Sequence, residues 1–95
     1  MLAISFDLAY WETQMRHPQG LRQAYKDIET VLGRYGYTRI QQSVYRAEDD
    51  DLAKLVQAMN ALKALPWFAE SVKDIRGFRV EQWSDFTPFM KGSNR

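Results

Sequence analysis

Apolar and polar positions alternate from Leu2 to Leu8. Leu2, Ile4, Phe6 and Leu8 share one face; Ala3, Ser5 and Asp7 share the other. A period of two in β-favouring residues predicts a strand. The next segment, WETQMRHPQG, carries no stripe and is punctuated by Pro18 and Gly20, so it reads as a connection. The period then changes. Leu21, Ala24, Tyr25, Ile28, Val31, Leu32 and Tyr35 recur at helical spacing, which predicts a helix over 19–35. Gly36 supplies the left-handed residue that ends it.

Residues 37–47 alternate again, with Ile40 and Val44 on one face and Arg39, Gln41, Ser43 and Tyr45 on the other. This is long for one strand, so the segment is expected to bend or divide. Asp49, Asp50 and Asp51 precede a second helical stripe: Leu52, Leu55, Val56, Met59, Leu62 and Leu65. Negative charge suits a helix N-terminus, and Pro66 ends or bends the helix. PWFAESVKD reads as a short helical turn. Residues 75–83 read as a strand, with Phe78 and Val80 opposite Arg79 and Glu81. Phe86, Phe89 and Met90 then crowd a tail that closes on Lys91 to Arg95. Three large apolar side chains near a terminus suggest docking on a partner subunit.

The order β-α-β-α-β predicts an α+β fold with helices on one face of a sheet. A modified ferredoxin-like two-layer sandwich fits best: two helices on one face of an antiparallel sheet, as a single domain over 1–95 with 84–95 as its tail. The helices leave a bare face. By parity it holds Ala3, Ser5 and Asp7 beside Arg39, Gln41, Ser43 and Tyr45, a surface for a subunit or a ligand.

Composition narrows the chemistry. In 95 residues there is no cysteine, so disulfides, thiolate zinc sites and cysteine nucleophiles are excluded. His17 is the single histidine, which leaves no His-rich metal site within one chain. The net charge of +1 is not the footprint of bulk nucleic-acid binding, so any RNA contact must come from local arginines and lysines. No run approaches the ~20 apolar residues of a membrane span. The N-terminus lacks the features of a signal peptide. A cytoplasmic location without membrane association is expected.

Asp7 has two readings. It can be a strand-end carboxylate that accepts backbone amides. It can also be a metal ligand or general acid/base. The second gains force if a two-fold axis brings two copies together, because a divalent cation relieves carboxylate repulsion and a phosphodiester completes its coordination. Ser43 is either a hydrogen-bonded strand serine or a contact to phosphate or water. His17 reads as an exposed loop histidine, and Asp49 to Asp51 as helix-start electrostatics. Trp11, Trp67 and Trp83 can stack on unpaired bases but read mainly as core or interface. Arg76 and Arg79 fall on opposite faces of a regular strand.

Five strings carry more than composition: AISFDL at 3–8, RHPQGLRQAYKDI at 16–28, Gln41 with SVY at 43–45, AMNALKAL at 58–65 and KDIRGFRVEQWSDF at 73–86. In order, over nearly the whole chain, they resemble the virulence-associated protein D (VapD) family. The resemblance implies a ferredoxin-like homodimer related to the small CRISPR-associated spacer-acquisition nucleases, with endoribonuclease activity and a toxin role. In some members a small antitoxin is encoded alongside. Candidate active-site positions carry over to Asp7, Ser43 and Asp74. Gln42 stands where the family commonly has glycine, which bears on the backbone beside Ser43. Lys73 and Gly77 stand where it commonly has arginine and alanine. By parity with Phe78 and Val80, Asp74 on a regular strand would face the helices. It would reach the bare face only from the turn before that strand.

The expectation is therefore an RNA-cleaving homodimer. Asp7 binds a divalent cation (Mg2+ or Mn2+) or acts as base, Ser43 positions phosphate or water, and Asp74 supports the site. Arg39, Gln41 and Tyr45 contact the substrate. A metal-independent route through the ribose 2′-hydroxyl stays open. So do a non-catalytic module that binds protein or nucleic acid, and a structural subunit whose bare face is consumed by dimerisation.

Overall fold

The alternation at the N-terminus becomes strand β1 (Leu2–Leu8), with Leu2, Ile4, Phe6 and Leu8 all buried. In the computed structural model, which describes residues 1–92, the chain continues as α1 (Tyr10–Arg16), α2 (Gly20–Gly33), β2 (Thr38–Gln41) and β3 (Val44–Ala47). Then follow α3 (Leu52–Lys63), α4 (Phe68–Ser71), β4 (Val72–Arg79) and α5 (Thr87–Met90). The four strands form one sheet in the order β2-β3-β1-β4, with every neighbouring pair antiparallel. This is the expected ferredoxin-like sandwich. The end of the polar tail, residues 93–95, lies outside the described residues.

The helix layer is built from the two predicted stripes. α2 buries Ala24, Ile28, Val31 and Leu32, and α3 buries Leu55, Ala58 and Leu62. The acidic run starts α3 as charge and geometry require. The Asp51 carboxylate accepts from the Lys54 amide at 3.0 Å, Asp49 pairs with the Lys54 ammonium at 3.1 Å, and Asp50 pairs with the N-terminal ammonium at 2.8 Å. Gly36 adopts φ +84 just beyond α2, the role its position predicted.

α3 lies against β4 through Gly77. A Cβ there would sit 3.1 Å from Leu55 Cδ2 and 3.4 Å from Met59 Cε. Gly77→Val therefore overfills this contact and should destabilise the protein by about 1–3 kcal/mol in urea unfolding. An unchanged midpoint would show that α3 is free to shift.

The structure departs from the sequence expectations at several places. The connection after β1 contains helix α1, whose Tyr10, Trp11 and Met15 are exposed and whose buried residue is Thr13. The Thr13 hydroxyl donates to the Ala9 carbonyl at 2.7 Å. With so little buried, this helix leaves no apolar stripe to read. His17 is buried rather than exposed. Its Nδ1 accepts from the Gln19 amide at 2.9 Å, which leaves Nε2–H to donate to Asp27 Oδ2 at 2.6 Å. The Trp67 ring packs 5.1 Å from the imidazole. Histidine and carboxylate thus join the middle of α2 to the segment before it.

Asp27 is partly desolvated, which raises its pKa. The hydrogen bonds from His17 and Gln23 outweigh that and hold the carboxyl below its ordinary value. A folded pKa below the unfolded one means that the ionised form stabilises the protein above about pH 4 and that this contribution is lost as pH falls through the lowered value. Asp27→Ala should therefore lower stability at pH 7. The gap to wild type should close below about pH 4 in acid-titrated urea melts. A gap that persists to pH 2 would contradict this role.

Candidate active site

The register between β1 and β4 sets the site. Asp7 stands directly opposite Asp74, Ser5 opposite Arg76 and Ala3 opposite Phe78. These residues alternate with Ile4, Phe6 and Ile75, which turn to the core, so the pairs face away from the helices. Phe78 is 42% exposed on this face. Asp74 thus reaches the bare face from within the strand, not from a turn before it. The assignment of Phe78 parity to the helix side is corrected: Ile75 and Gly77 take that side, and β4 begins at Val72 rather than at 75.

Two carboxylates now face each other across adjacent strands. Side chains so paired have Cβ atoms about 4.5–5.5 Å apart, and like charges there repel. Cations answer the repulsion. The register shifts between Asp7 and Leu8, because Asp7 faces Asp74 whereas Leu8 faces Val72. Lys73 is the extra residue of this bulge, and its ammonium lies 3.9 Å from Asp7 Oδ2. Bulges commonly re-aim a side chain in this way. Arg76 Nε donates to both Asp74 oxygens at 3.2 and 3.1 Å, and its terminal nitrogen donates to Oδ1 at 3.1 Å. The hydrogen bond to Asp74, and then its charge, raise the Arg76 pKa above the ordinary value. All four side chains are about half exposed or more. Ion pairs this exposed are screened by solvent and exchange readily for another ligand.

Ser43 lies in the turn between β2 and β3. Its carbonyl accepts from the Phe6 amide at 3.1 Å, so its backbone adjoins the residue before Asp7. The other expected contacts divide. Tyr45 pairs with Ile4 and Arg39 pairs with Tyr45, so both lie on the helix side. Tyr45 is fully buried and stacks on Phe6 at 6.1 Å between centroids. Burial, with the Glu29 charge adding to it and Arg39 opposing, pushes its phenol up to about 12. Arg39 faces Glu29 at 3.9 Å. Gln41 pairs with Val44 on the open side, past an irregularity between Arg39 and Gln41. There it lines a hollow of about 480 Å³ with Arg46, Trp83 and Asp85 of the returning tail. The parity that grouped Arg39, Gln41, Ser43 and Tyr45 on one face fails at that irregularity and at the turn. Lys73 and Arg76 were the residues missed. The i, i+2 spacing of Asp74 and Arg76 in KDIR was the available signal for Arg76.

No group of three or more His, Cys, Asp or Glu side chains among the described residues could hold a metal ion. Asp7 and Asp74 offer two carboxylates. Mg2+ commonly takes one or two, keeping waters and substrate phosphate for the rest, so the pair fits such an ion.

Residues 1–87 match the family described as CRISPR associated protein Cas2. The chain is 56% identical over 91 residues to the Endoribonuclease VapD homolog of Neisseria gonorrhoeae, covering 96% of this chain and 99% of that protein. It is 54% identical over 91 residues to Endoribonuclease VapD of Haemophilus influenzae, with the same coverage of 96% and 99%. Endoribonuclease VapD of Dichelobacter nodosus is 41% identical over 93 residues, covering 98% and 100%. The chain belongs to the VapD family and falls within the CRISPR associated protein Cas2 family.

Proposed function

We propose that this protein is an endoribonuclease that cleaves single-stranded RNA at the bare face of its sheet. The observation that carries the reading is Asp7 directly opposite Asp74 on an exposed face, each beside an exchangeable cation. The relatives named endoribonucleases point to the same chemistry.

Asp7 and Asp74 would hold a Mg2+ or Mn2+ ion, which neutralises phosphate charge and acidifies a bound water. Lys73 and Arg76 release their carboxylates to bind the scissile phosphate, Arg76 through two parallel hydrogen bonds. The turn at Ser43 adjoins this end of β1, where its hydroxyl positions phosphate or water. Gln41 contacts the strand further along the open face.

The same reading takes the protein as a homodimer. Exposed Phe78 on the sheet, with Phe86, Phe89 and Met90 in the tail, offers apolar surface for a second copy. An RNA-cleaving protein free in the cell would damage its own messages, so a toxin role with a small antitoxin over the site belongs to this reading. No described helix is long and apolar enough to cross a membrane, and a cytoplasmic location suits an RNA substrate.

Purified protein incubated with 5′-labelled unstructured RNA tests the proposal. Discrete internal cuts, stopped by chelator and restored by Mg2+ or Mn2+, are expected. RNA retained intact would favour the non-catalytic module instead. Cutting that ignores chelator would keep the nuclease and remove the ion.

A further inference from the structure

A second surface at the same end of the sheet carries charge that the fold does not use. A cleft of about 520 Å³ between α2 and β2 is lined by Leu21, Arg22, Tyr25, Lys26, Arg39 and Gln42. Arg22 and Lys26 stand four residues apart on α2, so their like charges lie on one face and repel. Neither has a carboxylate partner among the described residues. Elsewhere Arg16, Arg46, Lys54, Lys73 and Arg76 each have one. Arg39 adds a third cation from β2, and its contact to Glu29 is loose, at 3.9 Å between half-exposed groups. No carboxylate lines the cleft. In a chain of net charge +1, this sets two unpaired cations and one loosely paired cation along a single cleft.

The rest of the lining suits a nucleic-acid strand. Tyr25 is half-buried, its ring held 6.2 Å from Phe6, and it presents an aromatic wall on which a base can stack. Gln42 supplies an amide at the rim. The rim of the cleft is linked to β1 beside Asp7 through the β2–β3 turn. Gln42 precedes Ser43, and Ser43 is bonded to Phe6, the neighbour of Asp7.

We infer that this cleft is the track for the RNA backbone, in which Arg22, Lys26 and Arg39 hold phosphates flanking the bond cut at Asp7 and Tyr25 stacks on an adjacent base. The inference rests on the RNA-cleaving reading and adds to it. The strand passes from the open face, around the β2–β3 turn, to the helix side. The flanking phosphates are thus held in the cleft, apart from the carboxylates at Asp7 and Asp74. Arg39 serves the substrate from this side, not from the face predicted from the sequence.

The test is steady-state cleavage of a single-stranded RNA of about a dozen nucleotides by Arg22→Gln/Lys26→Gln, with Lys63→Gln, an exposed cation on α3, as control. The double variant should raise KM about tenfold or more and leave kcat within about twofold. It should also flatten the dependence of log KM on log salt by about 1.4, two phosphate contacts at about 0.7 each. A dinucleotide substrate, too short to enter the cleft, should be cut equally by both proteins, which separates a strand track from a general anion site. Unchanged KM and salt slope in a preparation whose wild type cuts RNA would overturn the track alone. An equal rise in KM for Lys63→Gln would also overturn it, showing bulk charge at work. If wild type cuts nothing, the nuclease reading fails, and fluorescence anisotropy with labelled RNA decides the cleft. Tenfold weaker binding by the double variant sustains it; equal binding removes it.

Discussion

Asp7→Asn is expected to slow single-turnover RNA cleavage by about 100- to 10,000-fold, the loss typical of a positioned carboxylate that handles a proton or an ion. The fold should not suffer. Asp7 is exposed at the end of β1, and its contact to Lys73 is long, at 3.9 Å. Losing its charge even relieves repulsion with Asp74 across the strand pair. The unfolding free energy in urea should therefore stay within about 0.5 kcal/mol of wild type, as for most surface substitutions. A large loss of activity with unchanged stability identifies a functional carboxylate. Equal cleavage by wild type and variant would point to a contaminating nuclease or to another site.

The largest structural effect should come from the residue beside it. Phe6→Ala should cost about 3–5 kcal/mol in urea unfolding. Phe6 is 4% exposed, stacks on Tyr45 at 6.1 Å and lies 6.2 Å from Tyr25. Its amide also ties β1 to the Ser43 turn. Small domains are held by about 5–15 kcal/mol in total, so such a loss should leave a visible unfolded fraction at 37 °C. Cleavage should fall with the folded fraction. A loss below about 1 kcal/mol would mean that the core between β1 and β3 collapses to fill the gap.

Much of the fold was legible because its signals were local and repeated. The period of two in β1 and the stripes of α2 and α3 each recur several times, so one irregular residue does not mask them. The acidic start of α3 and Gly36 beyond α2 were readable because each sits at the end of such a stripe. What was hidden depended on single residues. In β4 the helix-facing parity is Ile75, Gly77 and Arg79, so a glycine and a charge sit where apolar residues would have marked the face. Phe78 and Val80 carried the stronger apolar signal and pointed the wrong way. Gly77 was the clue, since a glycine in a strand often marks close approach of a neighbour, here Leu55 and Met59. In β2 and β3, the irregularity after Arg39 and the turn at Gln42 and Ser43 reset parity, a change that alternation cannot register. Hence Tyr45 is core and Arg39 faces α2. For His17, the burying partners come from α2 and from Trp67, far along the chain. At the site, Asp7 could be read from its place at the end of β1. The pairing of Asp7 with Asp74 could not, because it depends on the register across the sheet.

That pairing is the central claim, and a double-mutant cycle tests it most directly. Single-turnover cleavage of labelled RNA would be measured for wild type, Asp7→Asn, Asp74→Asn and the double variant. Groups that act as one unit lose activity once, so the double variant should be no slower than the slower single variant. Losses that multiply, or Asp74→Asn cutting at the wild-type rate, would contradict a shared site.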